Sequence, residues 1–415
     1  MKDRPLNIFF ISPVFVPTAG PEPYCGGKMA LALMEHGVSA TVVSLDDHRR
    51  TRLDDSRVWK PLSPHHIAVE TPKTKEPVRS AFLGARYLTN SYARWIRSVV
   101  GLARELHSAK PFDVVYSRSL PMIAHVAGYW CGRKLGLPWI ANMNDPWALY
   151  FFPGNKRKAS RRVKRWSMYW LRKTLRRADL VTYPSAGLHT FHAALSGVEH
   201  DAEIIPHVGF ASNDGIPGEG FTLVHAGKMG NSEITGRPTN ALLKGYASFL
   251  KRDAAVRKET RLVFVGPQDE ETDQVIRTLD LQGNVVGTGM VSYEESLKKI
   301  KEATVCILIE ADEKEGIYLP SKLADYLVAG KPVLALSPEV GTASGLARAG
   351  GLVRVRPNDP VAVEKALAKL YGDYRRGCLG LNEPPPDLVA QFTAQAVAEK
   401  FIAAASQVMA RHRGN

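Results

Sequence analysis

EADEKEGIYLPSKLADYLVAGKPVLAL, residues 310–336, holds a loop, a helix and a strand in one short run. The apolar stretch Ala303–Ile309 leads into an acidic loop. Pro320-Ser321-Lys322 opens a helix, Gly330 ends it, and Lys331-Pro332 feeds the apolar Pro332–Leu336. Apolar strands alternating with helices mean βαβ units around a buried parallel sheet. In such sheets ligands bind beyond the carboxyl ends of the strands. There Ser321 and the helix N-terminus can meet a phosphate, and Lys322 can neutralise it. Asp325, one turn on, can accept the two hydroxyls of a ribose, or pair with Lys322 three residues back.

The same pattern extends in both directions. Before the quoted run come Phe221–His225, Arg261–Val265 and Val285–Val286; after it comes Leu352–Val355. Helical patterns lie between, at Thr239–Arg252, Glu271–Leu281, Tyr293–Lys301, Lys322–Ala329 and Pro360–Tyr371. An earlier series starts at Ile8–Val14 and continues through Ala40–Leu45, Asp113–Ser117, Trp139–Met143, Leu180–Tyr183 and Glu203–Pro206. Between the two series, VGFASNDGIPGEG at 208–220 has turn residues and no periodicity, so it reads as a linker. The expected architecture is α/β: two Rossmann-like doubly wound domains facing a cleft. The boundaries are 1–207, a linker at 208–220, 221–385, and a closing helix in 386–415 that crosses back to the first domain.

The 415 residues carry a net charge of +14, all of it in the first half. Residues 1–210 hold 30 Lys/Arg against 16 Asp/Glu; residues 211–415 hold 25 of each. A basic half implies an anionic partner. Its most concentrated stretch is NKRKASRRVKRWSMYWLRKTLRR, Asn155–Arg177, with 11 basic residues and no acid. Arg161, Arg165, Trp166 and Trp170 are its candidate contacts to an anionic membrane surface or acceptor. Nucleic acid is the competing anion, and a solvated helix face is the plain alternative. A second stretch, Arg79–Arg104, interleaves Tyr92, Trp95 and Ile96 with arginines and points the same way. No apolar run reaches the length of a membrane span, and no cleavable leader is evident, so a cytoplasmic protein is expected. The four cysteines are not spaced for a zinc site or a disulfide framework.

Three further loops follow strands. SPVFVPTAGPEPYCGGKMALAL, from Ser12, places Gly26-Gly27 where a loop would turn into a helix, so the backbone can approach a donor phosphate. Asn144 and Asp145 follow Trp139–Met143, where Asp145 can bind a sugar hydroxyl or act as a base; Asp-Pro also suits a helix start. VHAGKMGNSEITGRPTNALLKGY, from Val224, sets Lys228 and Arg237 around a strand–loop–helix unit as a diphosphate cradle.

These motifs resemble the GT-B glycosyltransferases, in particular the retaining family-4 (GT4-like) enzymes. PSKLADYLVAGKPVLA is close to that family's second-domain signature, HAGK…GRP to its first second-domain loop, and PWIANMNDPW to a variant first-domain segment. The resemblance implies transfer of a sugar from a UDP- or GDP-linked donor to an acceptor hydroxyl, with retention and without a metal. It assigns Lys228 and Arg237 to the diphosphate, Asp325 to the ribose, and Gly26 and Gly27 to the loop approaching the donor phosphate. The chain departs from the family in three places. The first of two family glutamates falls on Ile317, which cannot bind a hydroxyl; Glu313 or Glu315 is expected to substitute. The second is shortened to Asp325. The first-domain histidine becomes Asn144, with Asp145 expected to assume part of its role.

The expected function is therefore a glycosyltransferase of bacterial cell-surface polysaccharide or glycolipid synthesis. Its acceptor would be lipid-linked or otherwise anionic, and the protein peripheral on the inner face of the cell membrane. A soluble transferase of a small metabolite, a nucleotide-sugar epimerase and a non-enzymatic anion-binding protein are the alternatives.

Overall fold

The computed structural model describes residues 4–46, 56–70, 90–147, 159–215, 218–229 and 239–414. The chain divides into two compact units. The first takes Met1–Pro153, Arg157–His207 and Ala394–Asn415; the second takes Val208–Thr393.

The first unit holds strands β1 (Asn7–Ile11), β2 (Ser39–Leu45), β3 (His66–Val69), β4 (Val114–Arg118), β5 (Trp139–Asn142), β6 (Leu180–Tyr183) and β7 (Ala202–Ile204). They form one parallel sheet in the order β3-β2-β1-β4-β5-β6-β7. Its helices are α1 (Pro21–Glu35), α2 (Ser56–Trp59), α3 (Asn90–Ala109), α4 (Ile123–Leu135), α5 (Arg161–Arg177) and α6 (Ala186–Ser196). Strands β1, β4, β5 and β6 are buried at every position, as expected of parallel strands covered on both faces. The edge strand β3 was not anticipated, because HIAV is half-exposed and lacks a long apolar run. Helix α3 corrects an expectation. Trp95 and Ile96 are fully buried, with the Trp95 indole N–H donating to the Ser44 carbonyl at 3.4 Å. They hold α3 on the sheet and face no membrane.

The second unit contributes β8 (Phe221–Ala226), β9 (Thr260–Val265), β10 (Val285–Gly287), β11 (Val305–Ile309), β12 (Glu315–Gly316), β13 (Val333–Leu336), β14 (Val340–Gly341) and β15 (Leu352–Val355). Its six-stranded parallel sheet runs β10-β9-β8-β11-β13-β15, and β12 pairs with β14 apart from it. The helices are α7 (Thr239–Leu250), α8 (Ala254–Glu259), α9 (Glu270–Thr278), α10 (Tyr293–Glu302), α11 (Ser321–Val328), α12 (Thr342–Arg348), α13 (Pro360–Arg375) and α14 (Pro386–Ala390). Phe221, Leu242, Tyr246, Phe264, Leu334 and Leu367 lie in its core.

The segment read as a linker has no regular structure among its described residues, yet it is not loose at its start. Val208 is buried, and the Gly209 N–H donates to the Phe392 carbonyl at 2.8 Å. A Cβ on Gly209 would stand 2.3 Å from the Ala324 carbonyl oxygen, so only glycine lets this strand of chain lie on α11. These residues therefore belong to the second unit's packing. The closing helix is also different from the expected single run. It is broken at Gln391–Thr393 into α14 and α15 (Ala394–Gly414). Helix α15 packs in the first unit, where the Phe401 ring meets Tyr116 edge-on at 4.8 Å and Lys400 pairs with Glu203 at 3.2 Å. Among the described residues no helix is long and apolar enough to cross a membrane.

Candidate active site

In both units the polar residues collect where the parallel strands end. In the first unit, β4 ends in Arg118 and β5 in Asn142, side by side in register. Arg118 is buried, and its guanidinium donates to Asn142 Oδ1 and to Asn144 Oδ1, each at 2.8 Å. The Asn144 amide donates in turn to Glu22 Oε1, and Glu22 Oε2 accepts the Leu120 N–H at 3.1 Å. Ser119 Oγ accepts the Asn144 N–H at 3.0 Å. Burial opposes the charge on Arg118, but Tyr116, Cys25 and Glu22 outweigh it and raise its pKa. The result is a buried cation with planar partners that match its fork.

This network changes the reading of Asn144. Its carbonyl is taken by Arg118 and its amino group by Glu22, and an amide is neither basic nor acidic near neutral pH. It cannot be a base; it orients Glu22. Glu22 and Arg118 are the functional candidates that the sequence reading missed. A signal for Glu22 existed: it is the only acid in the Pro-rich stretch from Ser12 to Pro23, and it sits in the first turn of α1. Arg118 reads in sequence as the ordinary end of a strand. Asp145 is half-buried in the loop after β5.

Gly26 and Gly27 are corrected. Helix α1 begins at Pro21, with Gly20 as N-cap at φ 141°, so the pair lies in its second turn and not at its mouth. Proline tolerates the first helical turn because its missing N–H would be unpaired there, which moves the start several residues upstream of Lys28. A Cβ on Gly27 would meet both Trp59 and Val16 at 2.9 Å. The glycines serve close packing within the first unit, and they approach no phosphate from a helix N-terminus.

Beneath the loop after β5 sit two buried histidines. The Trp147 N–H donates to His192 Nε2 at 2.9 Å, and His125 stacks on Trp147 with its Nδ1 2.9 Å from Ser117 Oγ. Burial lowers both pKa values to about 3, with a smaller push from neighbouring histidines. Unfolded histidine titrates near 6.5. Between those values the unfolded chain binds protons that the folded one refuses, so stability rises with pH and is lost as pH falls from about 6.5 toward 3. Each histidine contributes a slope of about 1.4 kcal/mol per pH unit. Urea unfolding followed at pH 7, 6 and 5 should show this loss, and His192→Asn should flatten it.

In the second unit, α11 starts at Ser321 with Pro320 as N-cap and no side-chain cap. Lys322 reaches back along the strand ends, its Nζ 3.3 Å from His225 Nε2. His225 Nδ1 lies 3.0 Å from the Ile307 carbonyl and donates to it, which leaves Nε2 as acceptor for the ammonium. Gly227, at φ 117°, makes room: a Cβ there would stand 2.6 Å from Lys322 Nζ. Lys228 is exposed after β8. Arg237 lies outside the described residues.

Asp325 is 5% exposed. Its Oδ1 accepts the Phe210 N–H at 2.9 Å and the Tyr293 hydroxyl at 3.1 Å. These bonds tie it to the chain entering the unit and to α10. Ile317 is buried. Of its expected substitutes, Glu315 is exposed on β12, and Glu313 is half-buried, its pKa raised by burial and by Asp312. A third carboxylate was missed: Glu310, at the end of β11, is buried against Gly316. Arg161 and Arg165 on α5 are exposed and Trp166 is half-buried, but Trp170 is fully buried beside Tyr129. Trp170 anchors α5 and contacts nothing outside the unit.

Comparison with known proteins agrees with the fold. Residues 19–207 match the Glycosyl transferase 4-like domain, and residues 234–373 match Glycosyl transferases group 1. No curated protein matches the sequence. Among solved structures, Anabaena Alr3699/HepE in complex with UDP and glucose has 15% identity and a TM-score of 0.68, over 97% of this chain and 100% of that one. Sucrose-phosphate synthase (tll1590) from Thermosynechococcus elongatus has 14% identity and a TM-score of 0.67, over 98% and 100%. A putative UDP-N-acetylglucosamine 2-epimerase from Listeria monocytogenes has 14% identity and a TM-score of 0.60, over 96% and 95%. The chain is a glycosyltransferase of the GT-B fold. Within that class it resembles the family-4 enzymes.

Proposed function

We propose that the protein transfers a sugar from a UDP- or GDP-linked donor to an acceptor hydroxyl, with retention, in bacterial cell-surface polysaccharide or glycolipid synthesis. The observation that carries this reading is the N-terminus of α11, which opens without a side-chain cap beside the Lys322 ammonium. Main-chain N–H groups and a cation at a helix N-terminus suit a phosphate. The HepE structures hold UDP and UDP-glucose on the same fold, which supports a nucleotide sugar here.

In this reading Ser321, Lys322, Lys228 and Arg237 take up the charge that develops on the leaving diphosphate, and no metal is invoked. Asp325 accepts from the ribose. On the acceptor side, Arg118 and Asn144 hold Glu22 in one orientation, and Glu22 with Asp145 orients the acceptor hydroxyl. The acceptor is lipid-linked or otherwise anionic, and the protein is peripheral on the inner face of the membrane.

The test is thermal shift with UDP, GDP, ADP and CDP, followed by assay of the responding nucleotide's sugars. A ligand that binds only the folded state stabilises it by RT ln(1 + [L]/Kd). UDP or GDP should raise the melting temperature by several degrees, and sugar should pass to an added acceptor with its anomeric configuration kept. If none of the four shifts the transition, the donor site is wrongly assigned. If the nucleotide sugar is instead converted to an epimer, the fold is being used for different chemistry.

A further inference from the structure

We propose that the face of the first unit formed by α4 and α5 binds the phosphate headgroups of an anionic lipid bilayer. The inference deepens the membrane reading above and rests on it. It says which face lies on the surface and what holds it there.

Helix α5 is fixed by its inner side: Ser167, Trp170, Leu171, Thr174 and Leu175 are buried. At 100° per residue, Arg161, Arg165, Tyr169, Arg172 and Arg176 then fall in one narrow band on the opposite side, and all five are exposed. The band is straight and about 22 Å long. Neither α4 nor α5 contains an acid. Among the described residues none of these four arginines forms an ion pair with a carboxylate.

Arg172 donates to the Ser196 carbonyl at 2.9 Å and Arg176 suits the C-terminal end of the dipole, but the first half of the band works against the helix. Arg161, Arg162, Lys164 and Arg165 occupy the first turns of α5, the positive end of its dipole, where cations are unfavourable. Arg161 with Arg165, and Arg172 with Arg176, are like charges at i,i+4, which repel. An anion outside the unit relieves both.

A cavity of about 650 Å³ opens beside the band, lined by Tyr129 of α4 and by Arg165, Tyr169, Arg172, Lys173 and Arg176. Lys173 Nζ sits 4.5 Å from the centre of the Tyr129 ring and donates to the Tyr169 hydroxyl at 2.9 Å. Arg133 donates to the Tyr129 hydroxyl at 3.0 Å. Burial would push that hydroxyl's pKa up, but Arg133 and Lys173 outweigh it and lower it, as expected in a strongly positive field. The cavity has the donors a phosphate needs.

A planar surface fits better than a folded or helical polyanion. The arginines are collinear on a straight helix, and Tyr169 stands among them with its ring 48% exposed. Tyrosine among cations is the composition of a membrane interface. Because α5 joins two parallel strands, it runs antiparallel to them. Arg161 therefore lies toward the strand ends that carry Asn144, and Arg176 lies away from them. The band leads from the far side of the sheet to its acceptor-side edge.

The test uses the full chain and vesicles of phosphatidylcholine, with and without about one third phosphatidylglycerol. The wild type should sediment with the anionic vesicles only, and less so as salt rises. Each basic residue near the surface is worth about a fivefold gain in affinity, so Arg165→Gln/Arg172→Gln/Arg176→Gln should weaken binding roughly a hundredfold. Its circular dichroism and nucleotide thermal shift should stay unchanged, which separates this result from misfolding and from a failed donor site. Lys173→Gln should weaken binding as well and tests the cavity. If the wild type binds and the triple variant binds equally, the membrane reading survives and the α5 face is overturned. If the wild type ignores anionic vesicles, both fall. If single-stranded RNA or polyphosphate binds more tightly and displaces the vesicles, the face belongs to a soluble polyanion, and the proposal is overturned.

Discussion

Arg118→Met should lower the stability of the first unit by about 3 kcal/mol and abolish transfer. Methionine fills much of the same volume but donates no hydrogen bond. Asn142 Oδ1 and Asn144 Oδ1 each lose a charge-assisted donor at 2.8 Å inside a buried site. Leaving buried acceptors unmet costs about 1–3 kcal/mol apiece. Glu22 loses the cation that faces it, and an uncompensated carboxylate near a low-dielectric interior is costly as well. In a unit of this size that corresponds to a fall of roughly 6–12 °C in melting temperature. Arg118→Lys separates charge from geometry. It restores a cation but not a planar fork, so it should recover part of the stability and little of the activity. A variant Arg118→Met with native melting and native turnover would remove the network from both fold and function.

The network also shows what the sequence could and could not convey. Long apolar runs such as Phe221–His225 and Val305–Ile309 announce strands because burial on both faces leaves little choice of residue. Two α/β domains were therefore legible without any structure. The helix start at Pro21 was not, because paired glycines mimic a phosphate loop, while the true signal was a proline that the first turn tolerates. Trp95 and Trp170 looked like surface aromatics among arginines. A helix with one buried stripe and one basic stripe mixes both in sequence, and only the wheel separates them. The site divided in the same way. Lys322 was readable because a cation at a helix start, after a strand, has few other uses. His225, Arg118 and Glu310 were not, because strand residues carry no local mark of which neighbours they meet.

Asp325→Ala should lower nucleotide affinity about 10–100-fold and destabilise the second unit by about 2–4 kcal/mol. Both effects are expected, because two kinds of partner compete for one carboxylate. Its Oδ1 already accepts the Phe210 N–H and the Tyr293 hydroxyl. Alanine leaves both donors without that acceptor in a site that is 5% exposed, at about 1–2 kcal/mol each. The ribose reading adds a ligand contact to the same group, and hydrogen bonds to a charged acceptor are worth about 1.5–3 kcal/mol. Asp325→Asn pulls the two apart. The amide oxygen can still accept from Phe210 and Tyr293, so most of the stability should return in urea unfolding. It lacks the charge and the second acceptor oxygen, so calorimetry should still show nucleotide binding weakened by about tenfold. The alternative outcome is equally clear: an Asp325→Asn protein that binds nucleotide as tightly as the wild type would make the carboxylate a clasp between α10, α11 and the chain at Phe210. The ribose would then have to be held by another group, and Glu310, buried at the end of the neighbouring β11, is the carboxylate to replace next.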